Sequence, residues 1–561
     1  MANGRVDKHY FSLFGAVLLG AIFRFWYLDL KPLWMDEVIT AIFSLGKNYA
    51  DLPLNTVFPL NAVSEIFTFV PGITCSQIAE NLASQSTHPP LFFCMMYKWL
   101  GWLHPWGAEW VTKVRSLPVI FGITTILAIY ALNRLAFSPK SGIMAAWIMA
   151  VSPFAVYLSQ EARHYTLPML LITLALVGLI QIQQDISTRS KIRLWVWLIW
   201  GIINIIGLYI HYFFIIAFIA QILTISLLLY QTKSKIINQR RVILELVLST
   251  TAIIISFIPW LSVIFSHFRS SDTSWLPTTN HIAPIYQTLM NWVLMIVIFP
   301  VENPSLVIAI CSGLLMLIFT IWVTWQILPP LKFLWLENKT NLPIFTLLSF
   351  TGFVLLQFLF IAYILGKDIT IIPRYSFVYY PSFCVLLAAS FTRNKNLFLK
   401  RINSIYIFLL VGLISCVFVV SNLAFQKPFQ PEQVAKNLNL EPTKPLMLVI
   451  GYDNYQEVAA GLSFALALDQ VRNNNMDSLA FINKPPSFDL LKNKLSQIST
   501  PNVSQLNLWI VGASMIRKDF SPQLQLSQQM TCNIDINQHY RIGRFPYQLY
   551  RCQSLKSFWE L

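Results

Sequence analysis

Charged residues are scarce in this 561-residue chain, at 12%, whereas 56% of its residues are hydrophobic. That balance excludes a soluble globular protein. Apolar runs of about twenty residues recur through the first three quarters of the chain, and each is long enough to cross about 30 Å of hydrocarbon. The sequence therefore predicts an α-helical polytopic membrane protein.

Several common functional motifs are also missing. The seven cysteines form no CxxC pair and no His/Cys ligand spacing, which argues against a structural zinc site. Cys532 and Cys552 lie in the polar C-terminal part and could pair if that part is exported. The other five lie in or beside apolar segments, where we expect them to act as small hydrophobic residues: Cys75, Cys94, Cys311, Cys384 and Cys416.

The net charge of +15 does not indicate a nucleic-acid partner, because Lys and Arg lie mainly in short connectors between apolar runs. Such connectors are cytoplasmic by the positive-inside rule. The first apolar run has no small-residue cleavage site and is expected to remain as a span. Counting from Tyr10–Leu30 to Ile402–Asn422 gives about eleven transmembrane helices, with a large first outer loop at residues 31–114. Within this loop, Leu91–Leu103 is too short to span and is expected to be an interfacial helix.

The odd number of spans puts the C-terminal part outside. We expect two domains, a transmembrane domain at residues 1–422 and a soluble extracytoplasmic α/β domain at residues 423–561. Short apolar runs in the second domain alternate with helix-compatible stretches such as Gln456–Leu468, which predicts a partly parallel sheet. Those runs are Leu446–Ile450, Leu479–Ile482 and Leu508–Val511. Gly451 and Gly512 follow two of them, but neither belongs to a GxGxxG motif or a P-loop.

The unusual polar residues all fall on the predicted outer face. Asp36 and Glu37 follow the first span directly, and two carboxylates at the mouth of a span are costly unless they are solvated, paired or used. The other residues of this set are His88, Glu161, Arg163, His211 and Arg374, and Arg115 flanks the carboxylates on the same face. Each has an ordinary structural explanation, such as a pair at a helix end or an interfacial anchor. Their coincidence on one face favours a shared function.

Carboxylates beside arginines suit the transfer of a group from a lipid-borne phosphate donor to an acceptor hydroxyl. A carboxylate can take the proton of the attacking hydroxyl. An arginine can hold the departing phosphate through two parallel hydrogen bonds. A phosphate leaves readily, so this chemistry needs no separate general acid.

Five motifs in order resemble the GT-C superfamily of integral-membrane glycosyltransferases. More narrowly, they resemble the bacterial family 39-type enzymes related to protein O-mannosyltransferases and to the aminoarabinose transferase of lipid A. The similarity covers residues 10–230 well, the region of Arg374 moderately and the C-terminal part not at all. The motifs are Trp34-x-Asp36-Glu37, His88-Pro-Pro-Leu91, Arg115-x-x-Pro118, Ser159-Gln-Glu161-Ala-Arg163-x-Tyr165 and Pro373-Arg374-Tyr375.

The resemblance implies a polyprenyl-phosphate sugar donor, an inverting reaction and an active site on the outer face of the plasma (inner) membrane. Asp36 matches the catalytic aspartate, Glu37 its companion and Glu161 the acidic position of the second outer loop. The expected donor-phosphate ligands are Arg374, Tyr375, Arg163 and Arg115, and the expected substrate-binding residues are His88 and His211. The acceptor is a lipid, a glycan or a protein. The β-trefoil insert of eukaryotic protein O-mannosyltransferases is missing, which argues against a protein.

Three questions stay open at this level. Some relatives bind a divalent metal and others do not, so the resemblance leaves metal dependence undecided. A transporter or flippase for a lipid-linked glycan is the main alternative function, although such proteins carry charges at mid-membrane and internal repeats. A ligand sensor with a membrane anchor is a third alternative, for which eleven spans would be excessive.

Overall fold

The fold is that of a computed structural model, which describes most of the chain and is largely helical. All structural statements below concern the residues that it describes: 2–86, 88–107, 109–189, 192–231, 239–266, 279–302, 304–393, 398–472, 474–483, 488–498, 503–513, 515–527 and 530–554. Parts of the predicted connectors that contain Lys191, Lys233, Lys235 and Lys395 lie outside them.

Packing divides the chain into two compact units. The first, called here the membrane unit, comprises Met1–Leu28, Leu82–Met95 and Thr112–Phe425. The second, called here the sheet unit, comprises Asp29–Asn81, Met96–Val111 and Gln426–Leu561. Packing therefore groups most of the first loop with the C-terminal part, whereas the predicted boundary at residue 422 is linear along the chain. That domain boundary remains a prediction.

The apolar runs of the first three quarters form helices as predicted. Six described helices are long and apolar enough to cross a membrane, or seven if one bent pair counts as a span. The total of eleven spans remains a prediction. The helices up to residue 420 are α1 (Ala2–Phe25), α2 (Met35–Ser44), α3 (Cys75–Gln85), α4 (Leu91–Leu103), α5 (Trp110–Ala136), α6 (Pro139–Ala150), α7 (Pro153–Ser159), α8 (Thr166–Gln184), α9 (Leu194–Leu208), α10 (Phe214–Gln231), α11 (Gln239–Ser266), α12 (Ala283–Ile296), α13 (Leu306–Leu336), α14 (Asn341–Tyr363), α15 (Tyr380–Arg393) and α16 (Phe398–Val420).

The apolar run Ile143–Leu158 predicts a single span, but the structure forms the bent pair α6 and α7, which meet at 60°. Ser152 caps α7 by accepting a hydrogen bond from the backbone N–H of Ala155, and Pro153 occupies the first helical turn. The break leaves carbonyl groups at the end of α6 that lipid could not satisfy. The buried guanidinium of Arg24 donates to two of them, those of Met149 at 3.0 Å and Ala150 at 3.3 Å.

A polar network joins α9 and α10, which together cover the long apolar stretch Trp195–Tyr230. The indole N–H of Trp200 donates to Oε1 of Gln221 at 2.7 Å, and Nε2 of Gln221 donates to Oδ1 of Asn204 at 3.0 Å. Buried polar groups in a membrane need such partners. The connection between the two helices contains Tyr209–Tyr212.

The sheet unit confirms the predicted partly parallel sheet. Its described strands are β1 (Val57–Pro59), β2 (Leu446–Tyr452), β3 (Ser478–Asn483), β4 (Gln505–Gly512), β5 (Gln523–Leu526), β6 (Met530–Ile542) and β7 (Phe545–Ser554), in the order β1-β3-β2-β4-β7-β6-β5. β3, β2 and β4 are parallel, and the other pairs are antiparallel. β1 comes from the first loop and pairs with β3. The helices are α17 (Pro431–Leu438), α18 (Tyr455–Asp469) and α19 (Phe488–Leu495).

The cysteines partly contradict the sequence analysis. Cys532 of β6 and Cys552 of β7 form a disulfide bond, as the sequence allowed. Cys75 and Cys94 are also disulfide-bonded, so the expectation that they act as small hydrophobic residues was wrong. Cys311, Cys384 and Cys416 are free thiols.

Candidate functional site

The connection between α7 and α8 carries two of the seven predicted site residues of the membrane unit, Glu161 and Arg163. Its six residues, 160–165, are all buried. Nε2 of Gln160 donates to the carbonyl groups of Phe23 at 3.2 Å and Trp26 at 2.8 Å, at the end of α1. Just after the connection, Oγ1 of Thr166 donates to the carbonyl of Pro118 at 3.0 Å. These bonds fix the connection to α1 and α5.

Two predicted phosphate ligands lie against one aromatic ring. The guanidinium carbon of Arg163 is 5.6 Å from the centre of the Tyr165 ring, and that of Arg374 is 5.9 Å from the same centre. Arg374 also lies 5.9 Å from the ring centre of its neighbour Tyr375. The Tyr157 side chain hydrogen-bonds Arg374 and interacts electrostatically with Glu161. The structure thus gathers three predicted residues, Glu161, Arg163 and Arg374, around Tyr157 and Tyr165, with Tyr375 beside Arg374.

The segment before Arg374 is fixed by polar contacts with α12. Oγ1 of Thr370 donates to Oε1 of Gln287 at 2.7 Å, and Nδ2 of Asn291 donates to the carbonyl of Thr370 at 2.8 Å. Asp368 accepts a hydrogen bond from the backbone N–H of Thr370 at 3.0 Å. Arg374 follows in the 3-10 turn Pro373–Val378. Its backbone is therefore held independently of its side chain.

The two predicted substrate-binding histidines meet at a third histidine. The ring centre of His164 lies 5.2 Å from that of His88 and 4.5 Å from that of His211. The backbone N–H of Leu91 donates to the carbonyl of Tyr209, which ties the start of α4 to the α9–α10 connection. Close packing at Gly207 supports that connection, because a Cβ there would lie 2.3 Å from the Phe214 ring. Aromatic rings enclose the histidines: Phe92, Phe93, Tyr165, Tyr212, Phe213 and Phe377.

Burial lowers the pKa of all three imidazoles, which favours their neutral form. Burial, followed by the charge of Arg163, lowers the pKa of His88. Burial is also the main cause that lowers the pKa of His164 and of His211 well below the usual value, with smaller contributions from the neighbouring histidines and Arg163. The cluster therefore offers uncharged hydrogen-bonding groups next to the cationic arginines.

Arg115, in α5, has a strong backbone partner. It is buried, and its Nη1 donates to the carbonyl of Leu28 at 2.7 Å. This bond fixes the chain just after α1. Arg115 therefore has a structural role in addition to its predicted role in phosphate binding. Its role as a phosphate ligand remains a prediction.

The two adjacent carboxylates belong to the sheet unit and differ in their surroundings. Glu37 is fully buried, and its Oε2 lies 3.4 Å from Nζ of Lys427, which is also buried. The same oxygen accepts a hydrogen bond from the backbone N–H of Trp34 at the start of α2. Asp36 is only half-buried, and its backbone carbonyl accepts a hydrogen bond from Thr40. Glu37 is therefore anchored in the structure, whereas Asp36 retains access to solvent.

Similarity to solved structures identifies the fold. ArnT from Cupriavidus metallidurans bound to undecaprenyl phosphate superposes with a TM-score of 0.55 at 10% sequence identity, over 98% of each chain. Its apo state gives the same TM-score and coverage at 11% identity. The chain has the GT-C fold. The archaeal oligosaccharyltransferase AglB from Archaeoglobus fulgidus, in complex with an inhibitory peptide and a dolichol-phosphate, gives a TM-score of 0.47 at 11% identity, over 91% of this chain and 70% of AglB. No protein-family model and no curated protein matches the sequence.

Sequence reasoning missed one residue of the site on this GT-C fold. The motif Glu161-Ala-Arg163-x-Tyr165 left its fourth position unassigned, and the structure places His164 there, between two predicted histidines. The available signal was another histidine on the predicted outer face, three residues after Glu161 and directly after Arg163. Among the described residues, no group of three or more His, Cys, Asp or Glu side chains is arranged to hold a metal ion.

Proposed function

We propose that the protein transfers a sugar from a polyprenyl-phosphate donor to an acceptor hydroxyl on the outer face of the plasma membrane. The observation that carries this proposal is the pair of guanidinium groups, from Arg163 and Arg374, within 6 Å of the centre of one tyrosine ring. Two guanidinium groups beside one buried ring form a cationic surface, which favours an anionic ligand. A phosphate ester is an anion that arginine binds with matched geometry.

The fold supports a lipid-linked phosphate as that anion. The solved ArnT structure, which shares 98% coverage with this chain, contains undecaprenyl phosphate. Arg374 lies in a short turn just before α15, and Tyr375 packs edge-on against Phe213 with ring centres 4.5 Å apart. An arginine within such an aromatic surface suits the phosphate headgroup of a prenyl lipid, with the prenyl chain in the membrane.

Asp36 is the proposed general base of an inverting displacement. It takes the proton of the acceptor hydroxyl as that oxygen attacks the anomeric carbon, and the bond to the phosphate oxygen breaks with its electron pair. The departing polyprenyl phosphate needs no proton, because the arginines compensate its charge. Glu37, held by Lys427, orients the start of α2 and keeps its neighbour Asp36 in place. Glu161, coupled to Arg374 through Tyr157, sets the position of the arginine.

The disulfide bond between Cys532 and Cys552 supports the proposed orientation. Disulfide bonds persist in oxidising compartments and are rare in the cytosol. A sheet unit on the extracytoplasmic side agrees with the basic connectors on the opposite side. A sugar transferred on that side would become part of the cell envelope, as a lipid or glycan modification.

Mass spectrometry of the cell envelope tests this function and its main alternative. Cells that lack the protein are complemented with wild type or with Asp36→Asn. We expect one envelope modification to disappear in the deletion strain, to return with wild type and to stay absent with Asp36→Asn. A flippase would need no proton acceptor, so full restoration by Asp36→Asn would favour transport of a lipid-linked glycan and contradict the proposal.

A further inference from the structure

His164 is a buried polar side chain that the fold itself leaves unsatisfied. Its side chain is fully buried, and neither ring nitrogen has a hydrogen-bond partner among the described residues. Native proteins satisfy the large majority of their buried polar atoms, so each exception calls for a ligand or a water molecule. Apolar rings at this position would pack equally well against Phe92 and Phe93, whose centres lie 5.7 and 6.2 Å from that of His164.

The neighbouring histidines define which groups face His164. Nδ1 of His211 accepts a hydrogen bond from the backbone N–H of Phe213 at 3.0 Å, so the proton of this neutral ring is on Nε2. Nδ1 of His88 is engaged with Oγ of Ser86 at 2.9 Å. A protonated Nε2 cannot coordinate a metal ion, so the cluster is not a three-histidine metal site. The three histidines therefore form a cluster of hydrogen-bonding side chains.

A neutral imidazole has one donor and one acceptor. A phosphate oxygen only accepts hydrogen bonds, so it would satisfy the donor of His164 and leave the acceptor unpaired. A hydroxyl group can accept from the ring N–H or donate to the other ring nitrogen, so two hydroxyl groups of one sugar can satisfy both nitrogens. Sugars carry several hydroxyl groups on apolar C–H faces, and the aromatic side chains around His164 suit those faces.

We propose that His164 is a specificity-determining residue that hydrogen-bonds a hydroxyl group of the donor's sugar, next to the arginines that hold the phosphate. This inference rests on the proposed function. It divides the site in two: Arg163 and Arg374 bind the charged part that all polyprenyl-phosphate donors share, and His164 with Nε2 of His211 binds the neutral part that differs between donors.

The test compares two lipids on purified full-length protein in nanodiscs. The first is the member of a panel of undecaprenyl-phosphate hexoses that wild type uses best, and the second is undecaprenyl phosphate without a sugar. We expect His164→Phe to raise the KM for the first by about tenfold, the equivalent of one lost hydrogen bond in a site that excludes water. The Kd for the second should not change. His164→Gln keeps a donor and an acceptor and should recover most of the loss, and His104→Phe, at an exposed histidine, is the control.

Thermal unfolding without ligand provides a second readout. Because the fold does not satisfy His164, His164→Phe should raise the Tm of the ligand-free protein while it weakens donor use. A Tm below that of wild type would show that His164 stabilises the fold, and would overturn the inference even if the variant is inactive.

Three further results decide the matter. An unchanged KM in His164→Phe would mean that the ring binds only a buried water, and would overturn the inference. An equal loss of affinity for both lipids would place His164 on the phosphate and also overturn it. In both cases wild type would still bind undecaprenyl phosphate, and the proposed function would stand. A wild type that binds neither lipid would refute both the inference and the proposed function.

Discussion

Nζ of Lys427 lies 3.4 Å from Oε2 of Glu37, and both side chains are almost completely inaccessible to solvent. This pair joins the start of α2 to the segment before α17. Removing one partner of a buried pair leaves an uncompensated charge, which typically costs about 3–5 kcal/mol. We therefore expect Lys427→Met to lower the Tm strongly and to reduce activity.

The double variant Glu37→Gln/Lys427→Met removes both charges and should recover much of the lost stability. Thermal unfolding of wild type, Glu37→Gln, Lys427→Met and the double variant measures the coupling free energy between the two side chains. Lys436→Met, at an exposed lysine of α17, is the matched control and should have little effect. Equal losses of stability in the single Lys427 variant and its Lys436 control would show that the pair contributes nothing.

The arginines give a prediction about donor use. Arg374→Lys keeps the charge but removes the planar fork, so we expect it to raise the KM for a polyprenyl-phosphate sugar. Arg374→Ala should nearly abolish turnover. The measurement is donor-dependent turnover across a range of lipid concentrations, with Arg541→Lys in the sheet unit as the control. Wild-type kinetics in Arg374→Ala would make this residue an interfacial anchor, with Arg163 and Arg115 as the remaining phosphate ligands.

The histidine cluster predicts acid sensitivity. The pKa values of His88, His164 and His211 are lowered in the folded protein, so below about pH 6.5 the unfolded chain binds more protons than the folded one. Stability is therefore complete above this pH and falls as the pH falls below it, by at most about 1.4 kcal/mol per pH unit for each histidine. We expect Tm to drop between pH 7.5 and 5.0, and His164→Phe to reduce the drop. An identical drop in the variant would exclude His164 as a cause.

Orientation is testable with introduced cysteines at exposed positions. Thr74 and Gln523 lie on the predicted outer side, and Lys140 lies in a predicted cytoplasmic connector. A membrane-impermeant maleimide added to intact cells should label Thr74→Cys and Gln523→Cys but not Lys140→Cys. Cys311→Ser provides the background, because Cys311 is an exposed free thiol. Labelling of Lys140→Cys in intact cells would overturn the topology.

Much of the fold follows from the sequence because its signals are local. The apolar runs predict the helices, α4 has the predicted bounds, and the apolar runs of the C-terminal part become β2, β3 and β4. The break between α6 and α7 was missed although it has a local signal, a Ser-Pro pair at 152 and 153 that caps and starts a new helix. The pairing of β1 with β3 joins residues more than 400 positions apart, and three residues give too weak a pattern to predict it.

The sequence predicted which residues form the site, but it did not predict which groups they contact. Sequence position put Arg163, Glu161 and Arg374 on one side of the membrane, and the structure brings them around Tyr157 and Tyr165. The bond from Arg115 to the carbonyl of Leu28 was not predictable, because a backbone acceptor leaves no mark in the side-chain pattern. The same holds for Arg24 and the carbonyl groups at the end of α6. His164 was missed because it occupies the variable position of the motif, to which the resemblance assigns no role.

In the proposed reaction, this chain moves a sugar from a lipid phosphate with Asp36 as the base. Purified protein is incubated with a labelled undecaprenyl-phosphate hexose and a membrane extract as the source of acceptors, and released undecaprenyl phosphate and labelled product are quantified together. We predict equal amounts of both, with an inverted anomeric centre in the product. Asp36→Asn should lower the rate by about 10²–10⁴-fold without loss of lipid binding, and Asp29→Asn, at an exposed aspartate, should not. Transfer by Asp36→Asn at the wild-type rate, or no transfer by wild type to any acceptor in the extract, would contradict the account.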